Sequence, residues 1–205
     1  MVFQQFRTTF FDSVCFTPDQ VYTLYPGFDK NNLGRWVRKG YLVRLRSGWY
    51  SFPEYLGKPD IARYLANRIY RPSYISLHTA LAFYGIIPES VVQVTSVTSL
   101  KTMIFTNPFG TYTYQTVNPR LLFGYETKPI GDGRSLLMAS PEKAIIDLLY
   151  LNPQYNTEEQ LNELRLDVDF MVESVNTALL RDYAARLNQR TLLNRVEKLI
   201  NLFSL

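Results

Sequence analysis

The chain has 205 residues, of which 46% are apolar and 15% aromatic, enough to build real cores in one large or two small domains. No stretch approaches 18 uninterrupted apolar residues and the start lacks the order of a signal peptide, so we expect a cytoplasmic protein without a membrane partner. A single cysteine, Cys15, and a single histidine, His78, exclude an internal disulfide and a Cys/His zinc site, and neither a metal nor a cofactor is expected.

The net charge of +4 is unevenly distributed along the chain. Residues 1–59 hold eight basic and four acidic side chains, whereas the rest holds fourteen of each. All the excess positive charge therefore lies in the first segment. Such a distribution is typical of a nucleic-acid-binding module followed by a neutral domain.

The first segment predicts short helices in close succession. Phenylalanines at helical spacing over Phe3–Ser13 indicate helix 1. Thr17-Pro18-Asp19-Gln20 has the capping-box pattern of a helix start, and this second helix should run to about Tyr25. Pro26-Gly27 ends it, and Asp29 is a good N-cap for a third helix. The connection has the length of a helix-turn-helix turn.

The stretch Asp29–Phe52 predicts a recognition helix closed by Gly40, then a basic hairpin hinged on Ser47-Gly48. The helix has an apolar stripe around Trp36 and a polar opposite side whose Arg and Asn side chains suit base edges in a major groove. In the hairpin Arg44 and Arg46 should lie on one side of the strand. The hairpin would then be the wing of the motif, and both arginines would contact phosphates of the DNA backbone. The predicted DNA-binding residues are Lys30, Asn31, Asn32, Arg35, Arg38, Lys39, Arg44, Arg46 and Ser47. Asn31 and Arg35 are expected to contact bases.

These patterns predict an α+β protein with an N-terminal winged helix-turn-helix over residues 1–56, a linker at 53–59 and an α+β domain over 60–205. The second domain should begin with helices at 60–70 and from Ser76 to Gly85. Residues 91–139 are rich in β-branched and aromatic residues, which predicts a mostly antiparallel sheet. Ser140 should cap another helix, and two or three helices should follow Thr157, interrupted near 166–169 and near Asn188.

Catalytic patterns are largely missing from the sequence. His78 is expected to pack, partly buried, on its helix. Glu142-Lys143 starts a helix after a proline instead of lying on adjacent strands as in a nuclease, and Asp147 has no evident metal partner. The run Tyr112-Thr113-Tyr114 suits a packed strand better than a stacking platform for single-stranded nucleic acid, because its domain has no surplus positive charge. We therefore expect no catalytic residues and no enzyme activity.

Several segments together resemble the AbiEi family of antitoxins from type IV toxin–antitoxin systems. They are Phe16–Gln20, LGRWVRKGYLVRLRSGWYSF (33–52), YISLHTALAFYGIIP (74–88) with the β-run that follows, and SPEKAIIDLLYL (140–151). The resemblance implies a winged helix-turn-helix that binds inverted repeats in double-stranded promoter DNA. It also implies a C-terminal domain that opposes a nucleotidyltransferase-like toxin functionally, whether or not the two proteins are in direct contact. The protein would then be an autorepressor and antitoxin.

Two other functions are compatible with the same residues. The winged helix could contact a partner protein instead of DNA, in a non-catalytic interaction module. The C-terminal domain could be a nuclease-type enzyme, which is the less favoured alternative and would require clustered carboxylates around a pocket.

Overall fold

The computed structural model describes residues 1–89 and 91–204, which form the expected α+β fold. Within these residues the α-helices are α1 (Phe3–Phe10), α2 (Pro18–Leu24), α3 (Asn31–Arg38), α4 (Ile61–Ile69), α5 (Leu77–Phe83), α6 (Pro141–Leu151), α7 (Glu158–Asn162), α8 (Val168–Ser174), α9 (Thr177–Arg186) and α10 (Arg190–Leu202). The strands are β1 (Cys15–Phe16), β2 (Val43–Arg46), β3 (Trp49–Ser51), β4 (Ser73–Ile75), β5 (Val94–Thr98), β6 (Met103–Asn107), β7 (Gly110–Thr116), β8 (Tyr125–Ile130) and β9 (Arg134–Ala139).

The ends of the first helices follow the local signals in the sequence. At the start of α2, Gln20 N donates to Thr17 Oγ1 and Thr17 N donates to Gln20 Oε1, so the capping box is formed. Helix α3 begins at Asn31, one residue later than an N-cap at Asp29 implies, although Asp29 still accepts a hydrogen bond from N of Asn31 at 3.0 Å. Gly40 follows α3 with a φ of 73°, the left-handed conformation expected there.

A cluster of aromatic rings holds the N-terminal part together. Phe6 of α1 is fully buried, and its ring lies 4.7 Å from that of Trp36 on α3 and 5.2 Å from that of Phe16 on β1. Strand β3 pairs with β1 on one side and with β2 on the other, both antiparallel. Three helices thus pack on one three-stranded sheet, with the rings of Phe6, Phe16 and Phe52 between them.

The C-terminal part is built on a six-stranded sheet with the order β6-β7-β5-β4-β9-β8. This sheet is mixed, because β5 pairs parallel with β7 and β4 pairs parallel with β9, while the other three pairs are antiparallel. The central strand β4 was not predicted. Its three residues, Ser73–Ile75, are all buried, and so short a strand shows no alternation of buried and exposed side chains.

Helix α6 packs against three other helices of the C-terminal part, α5, α9 and α10. Ser140 caps α6 as predicted, by accepting from N of Lys143 at 3.2 Å. Four helices, α7 to α10, follow instead of two or three, and Asn188 with a φ of 50° separates the last two. Among the described residues, none of the helices combines the length and the apolar character needed to cross a bilayer.

Of residues 53–59, predicted to be a linker, the first three pack against the N-terminal part and residues 56–59 are exposed. Pro53–Tyr55 forms a 3₁₀ turn, and the ring of Tyr55, only 2% exposed, donates its hydroxyl to O of Phe11 at 2.8 Å. From the second sheet, Arg134 Nη2 donates to O of Asp12 at 3.0 Å. The buried apolar side chains of both parts belong to one continuous cluster.

Candidate nucleic-acid interface

Helix α3 exposes the side that the sequence predicts to face DNA. Leu33 and Trp36 are buried against the aromatic cluster, which turns the opposite side of the helix to solvent. The exposed polar side chains over residues 29–39 are those of Asp29, Lys30, Asn31, Arg35, Arg38 and Lys39. Four of these six are lysine or arginine and one is acidic, so the exposed side is basic.

A groove of about 500 Å³ runs along the exposed side of α3. Gly34 lies in it, and a Cβ placed there would have no atom within 4 Å, so the backbone of α3 is open to close approach. The groove is lined by Pro18, Tyr22, Lys30, Asn31, Leu33, Gly34, Arg38 and Tyr50. Its polar groups therefore come from the helix and its aromatic walls from α2 and β3.

Arg35 is held in place by two neighbours. Its Nη2 lies 2.8 Å from Oδ2 of Asp29 and 2.6 Å from Oδ1 of Asn32. The Arg35 and Asp29 side chains are about half exposed, at 52% and 49%, so the contact with Asp29 is a surface ion pair. Asn32 is half-buried and uses its oxygen on Arg35, which leaves its amide nitrogen as the group available to a ligand.

In the hairpin formed by β2 and β3, the two arginines face opposite sides, and the prediction that they share one side is wrong. Arg44 is paired with Tyr50 and Arg46 with Trp49, so a β-bulge lies between the two arginines. Consecutive residues of a strand point to opposite faces of the sheet, so Trp49 and Tyr50 do as well. Each arginine lies on the same face as the residue it is paired with, and Arg44 and Arg46 therefore lie on opposite faces. Arg44 is exposed, as expected for a residue of a wing.

Arg46 packs against the C-terminal part of the chain instead of projecting as a wing residue. Its guanidinium carbon lies 4.7 Å from the centroid of the Tyr70 ring and 5.6 Å from that of Phe105. Its Nη1 donates to O of Ile69 at 3.4 Å. Ser47, in the turn of the hairpin, is exposed.

Sequence reasoning missed the aromatic members of this surface. Tyr22 and Tyr50 line the groove, and Tyr50 stacks on Phe16 with ring centroids 6.0 Å apart. The sequence carries a signal for this in the alternation of Tyr50 and Phe52, since alternate residues of an extended chain share a face. Tyr70 and Phe105 carry no local signal, because only the tertiary fold brings them to Arg46.

The charges of the C-terminal part sum to zero but are unevenly distributed along the chain. Residues 60–139 contain seven basic and four acidic side chains, and residues 140–205 contain seven basic and ten acidic ones. The four acids of the first group all make ion pairs, with Arg63, Arg165, Lys128 and Arg134. Net positive charge therefore continues from the N-terminal part into the second sheet, and the C-terminal helices are acidic.

The strongest cluster of ionisable groups elsewhere is buried. Lys143 and Asp147, one helical turn apart on α6, form an ion pair with side chains 0% and 2% exposed. Oδ2 of Asp147 also accepts from the hydroxyls of Tyr74 and Ser76, both at 2.8 Å. Burial raises the pKa of Tyr74, which keeps the hydroxyl a donor. Asp147 thus has a lysine as its partner, and Ser76 uses its hydroxyl here instead of capping α5.

The other residues considered for chemistry are also separated from one another. His78 on α5 has an exposed surface, but enough of its ring is buried to lower the pKa of the imidazole, so it is partly buried as expected. Glu142 is buried and its Oε1 accepts from N of Asn176 at 3.1 Å, so it ties α6 to the start of α9. Tyr112 and Tyr114 are fully buried, as the packed-strand interpretation predicts. In the part of the chain that is described, no three His, Cys, Asp or Glu side chains converge as metal ligands would.

A scan of the sequence against protein-family models finds no match, and a search of curated proteins finds no matching relative. The assignment of a function consequently depends on the residues of this chain and on the surface that they form.

Proposed function

We propose that this protein is a cytoplasmic, DNA-binding transcriptional autorepressor of the AbiEi type and the antitoxin of a type IV toxin–antitoxin system. Its N-terminal part would act as a winged helix-turn-helix on inverted repeats of its own promoter. The observation that carries the proposal is the basic, exposed side of α3, which borders an open groove beside the backbone of Gly34.

The side chains on this surface have the chemistry that reading of duplex DNA requires. Asn31 and Arg35 would contact base edges, since Asn pairs with adenine N6 and N7 and Arg with guanine O6 and N7. Arg35 retains free guanidinium nitrogens beside the Nη2 that contacts Asp29. The residues that would hold phosphates are Lys30, Arg38, Lys39 and Arg44.

The antitoxin part of the proposal rests on the order and spacing of the family-like segments. Two of them, 74–88 and 140–151, include the buried groups Tyr74, Ser76, Lys143 and Asp147. The C-terminal part would oppose a nucleotidyltransferase-like toxin, by contact with it or by acting on the same target.

Titration of a labelled promoter duplex, followed by fluorescence anisotropy at several salt concentrations, tests DNA binding. Arg35→Ala should cost about 1–3 kcal/mol at the preferred site and relax the preference at one base pair. Arg38→Ala should weaken binding to all duplexes and reduce the salt slope by about one unit. Arg190→Ala, on the exposed start of α10, is the matched control and should change neither.

Weak binding that is independent of sequence and unchanged in both α3 variants would contradict DNA reading and favour the protein-interaction module. Antitoxin action needs a separate assay. Co-expression with the nucleotidyltransferase-like gene expected next to this one should restore growth, and should do so even with Arg38→Ala, because repression and neutralisation would use different parts of the chain.

A further inference from the structure

Arg46 connects the hairpin to the C-terminal part of the chain by its charge and by a hydrogen bond. The guanidinium stacks on Tyr70 at 4.7 Å and approaches Phe105 at 5.6 Å, both within the range of a cation–π interaction. Nη1 reaches O of Ile69, at the last residue of α4. A cation at the C-terminal end of a helix is also stabilised by the helix dipole.

The aromatic rings under Arg46 are themselves held firmly. Tyr70 donates its hydroxyl to O of Lys101 at 2.8 Å, and its ring meets Tyr114 edge-on at 4.8 Å. Phe105 stacks on Tyr112 and Tyr114 at 5.3 and 5.9 Å, and both tyrosines are fully buried. Arg46 therefore packs against a rigid part of the second sheet.

A second contact is a hydrogen bond to the backbone of the β-bulge. Leu45, the residue between the two arginines, accepts a hydrogen bond through its carbonyl oxygen from Nδ2 of Asn107 at 3.1 Å. Oδ1 of Asn107 accepts from N of Phe109 at 2.8 Å, which fixes the orientation of the amide. Strand β2 is thus connected to β6 through the backbone of Leu45 and through the side chain of Arg46.

We propose that Arg46 is a positioning residue that sets the hairpin relative to α3, and that Tyr70, Phe105 and Asn107 control DNA affinity without touching DNA. This inference rests on the proposed DNA-binding function. A duplex must meet α3 and the exposed Arg44 together, so a hairpin already held in its bound position loses less freedom on binding. The bulge makes this possible, because it directs Arg44 to solvent and Arg46 to the second sheet.

The salt dependence of duplex binding separates positioning from phosphate contact. Arg46→Ala and Tyr70→Ala should each weaken binding by about 2- to 30-fold, the range of a partly buried cation–π contact. The double variant should be no weaker than either single variant. The slope of log K against log salt should stay that of the wild type in all three, since no phosphate contact is lost. Arg44→Ala should instead reduce the slope by about 0.9.

Two further variants distinguish a lost positioning contact from misfolding of the protein. Tyr70→Phe keeps the ring under Arg46 but loses the bond to O of Lys101, so it should weaken binding less than Tyr70→Ala does. Asn107→Ala removes the bond to Leu45, together with the bond that Asn107 accepts from N of Phe109, and should weaken binding with an unchanged slope. Thermal unfolding of every variant shows whether it is folded at the assay temperature.

Three results would overturn the inference. If Arg46→Ala flattens the salt slope while Tyr70→Ala has no effect, Arg46 holds a phosphate. If Arg38→Ala weakens binding but Arg46→Ala, Tyr70→Ala and Asn107→Ala do not, DNA binding stands and the positioning role fails. If the wild type binds no duplex, the proposed function fails and this inference with it.

Discussion

Oδ2 of Asp29 lies 2.8 Å from Nη2 of Arg35, so the arginine expected to read bases is already paired with a carboxylate at the start of its own helix. The same carboxyl group accepts a hydrogen bond from N of Asn31 through Oδ1. Asp29 therefore stabilises the beginning of α3 and orients Arg35 at once. It also places a negative charge beside the surface that would meet phosphates.

Replacing this carboxylate should strengthen DNA binding and reduce its selectivity. Asp29→Asn keeps an oxygen for N of Asn31, so the helix start should remain capped. Removal of the negative charge should increase affinity for all duplexes, and the released Arg35 should discriminate less between bases. Competition titrations with specific and unrelated duplexes measure both effects. Equal affinities for Asp29→Asn and the wild type on both duplexes would show that Arg35 does not take part.

The buried ion pair on α6 should be sensitive to loss of one partner. Lys143→Met leaves the carboxylate of Asp147 buried without its cation, which should lower the free energy of unfolding by about 3–5 kcal/mol. The double variant Lys143→Met/Asp147→Leu should recover only part of this loss, because it leaves no unpaired charge but leaves the hydroxyls of Tyr74 and Ser76 without their acceptor. Urea denaturation of the three proteins measures the differences.

The exposed pair of Arg181 and Glu197, joined by two hydrogen bonds, provides the control. Arg181→Ala should leave the urea midpoint nearly unchanged, since surface ion pairs contribute little. A loss for Lys143→Met no larger than that for Arg181→Ala would mean that Tyr74 and Ser76 alone satisfy Asp147.

Helix α9 approaches the second sheet at Gly124, where a side chain would not fit. A Cβ there would lie 3.0 Å from Cε2 of Tyr183 and 3.1 Å from Cδ of Lys143, and φ is 69°. Gly124→Ala should therefore lower the melting temperature by several degrees, since about 1 kcal/mol corresponds to about 2–4 °C in a chain of this size. Gly131→Ala, with no atom within 4 Å, is the control and should unfold near the wild-type temperature.

Alkaline pH should destabilise the protein, because one cysteine thiol and two tyrosine hydroxyls are buried in their protonated, neutral form. Burial raises the pKa of Cys15 to about 12 and raises the pKa of Tyr112 and Tyr114 as well. The folded state then keeps protons that the unfolded chain releases above about pH 9. The free energy of unfolding should accordingly fall as pH rises beyond that value.

Urea denaturation between pH 7 and pH 10.5 measures this trend. Alkylation with iodoacetamide at pH 8 gives an independent check, because Cys15 should react only after unfolding. Rapid alkylation of the native protein would show that the sulfur is accessible. Stability that rises with pH over this range would contradict the burial of the three groups.

The local structure of the N-terminal part could be read directly from the residues. The capping box of Thr17 and Gln20, the left-handed Gly40 and the buried stripe with Trp36 depend on hydrogen bonds and side-chain spacing within a few residues. The same holds for the Ser140 cap of α6. Such signals act over a single helical turn, which is why the predicted and observed helices agree there to within about three residues.

The amino-acid sequence by itself thus determined where α1 to α3 and α6 form, which side of α3 is exposed, and that positive charge is concentrated in the N-terminal part. Only the tertiary structure decided that β4 lies at the centre of a mixed sheet, that Asp147 pairs with Lys143, and that Arg46 packs on Tyr70. The physical reason is sequence separation. A single bulge residue between Arg44 and Arg46 reverses the face of one arginine, and the rings that receive it come from strands and helices far along the chain.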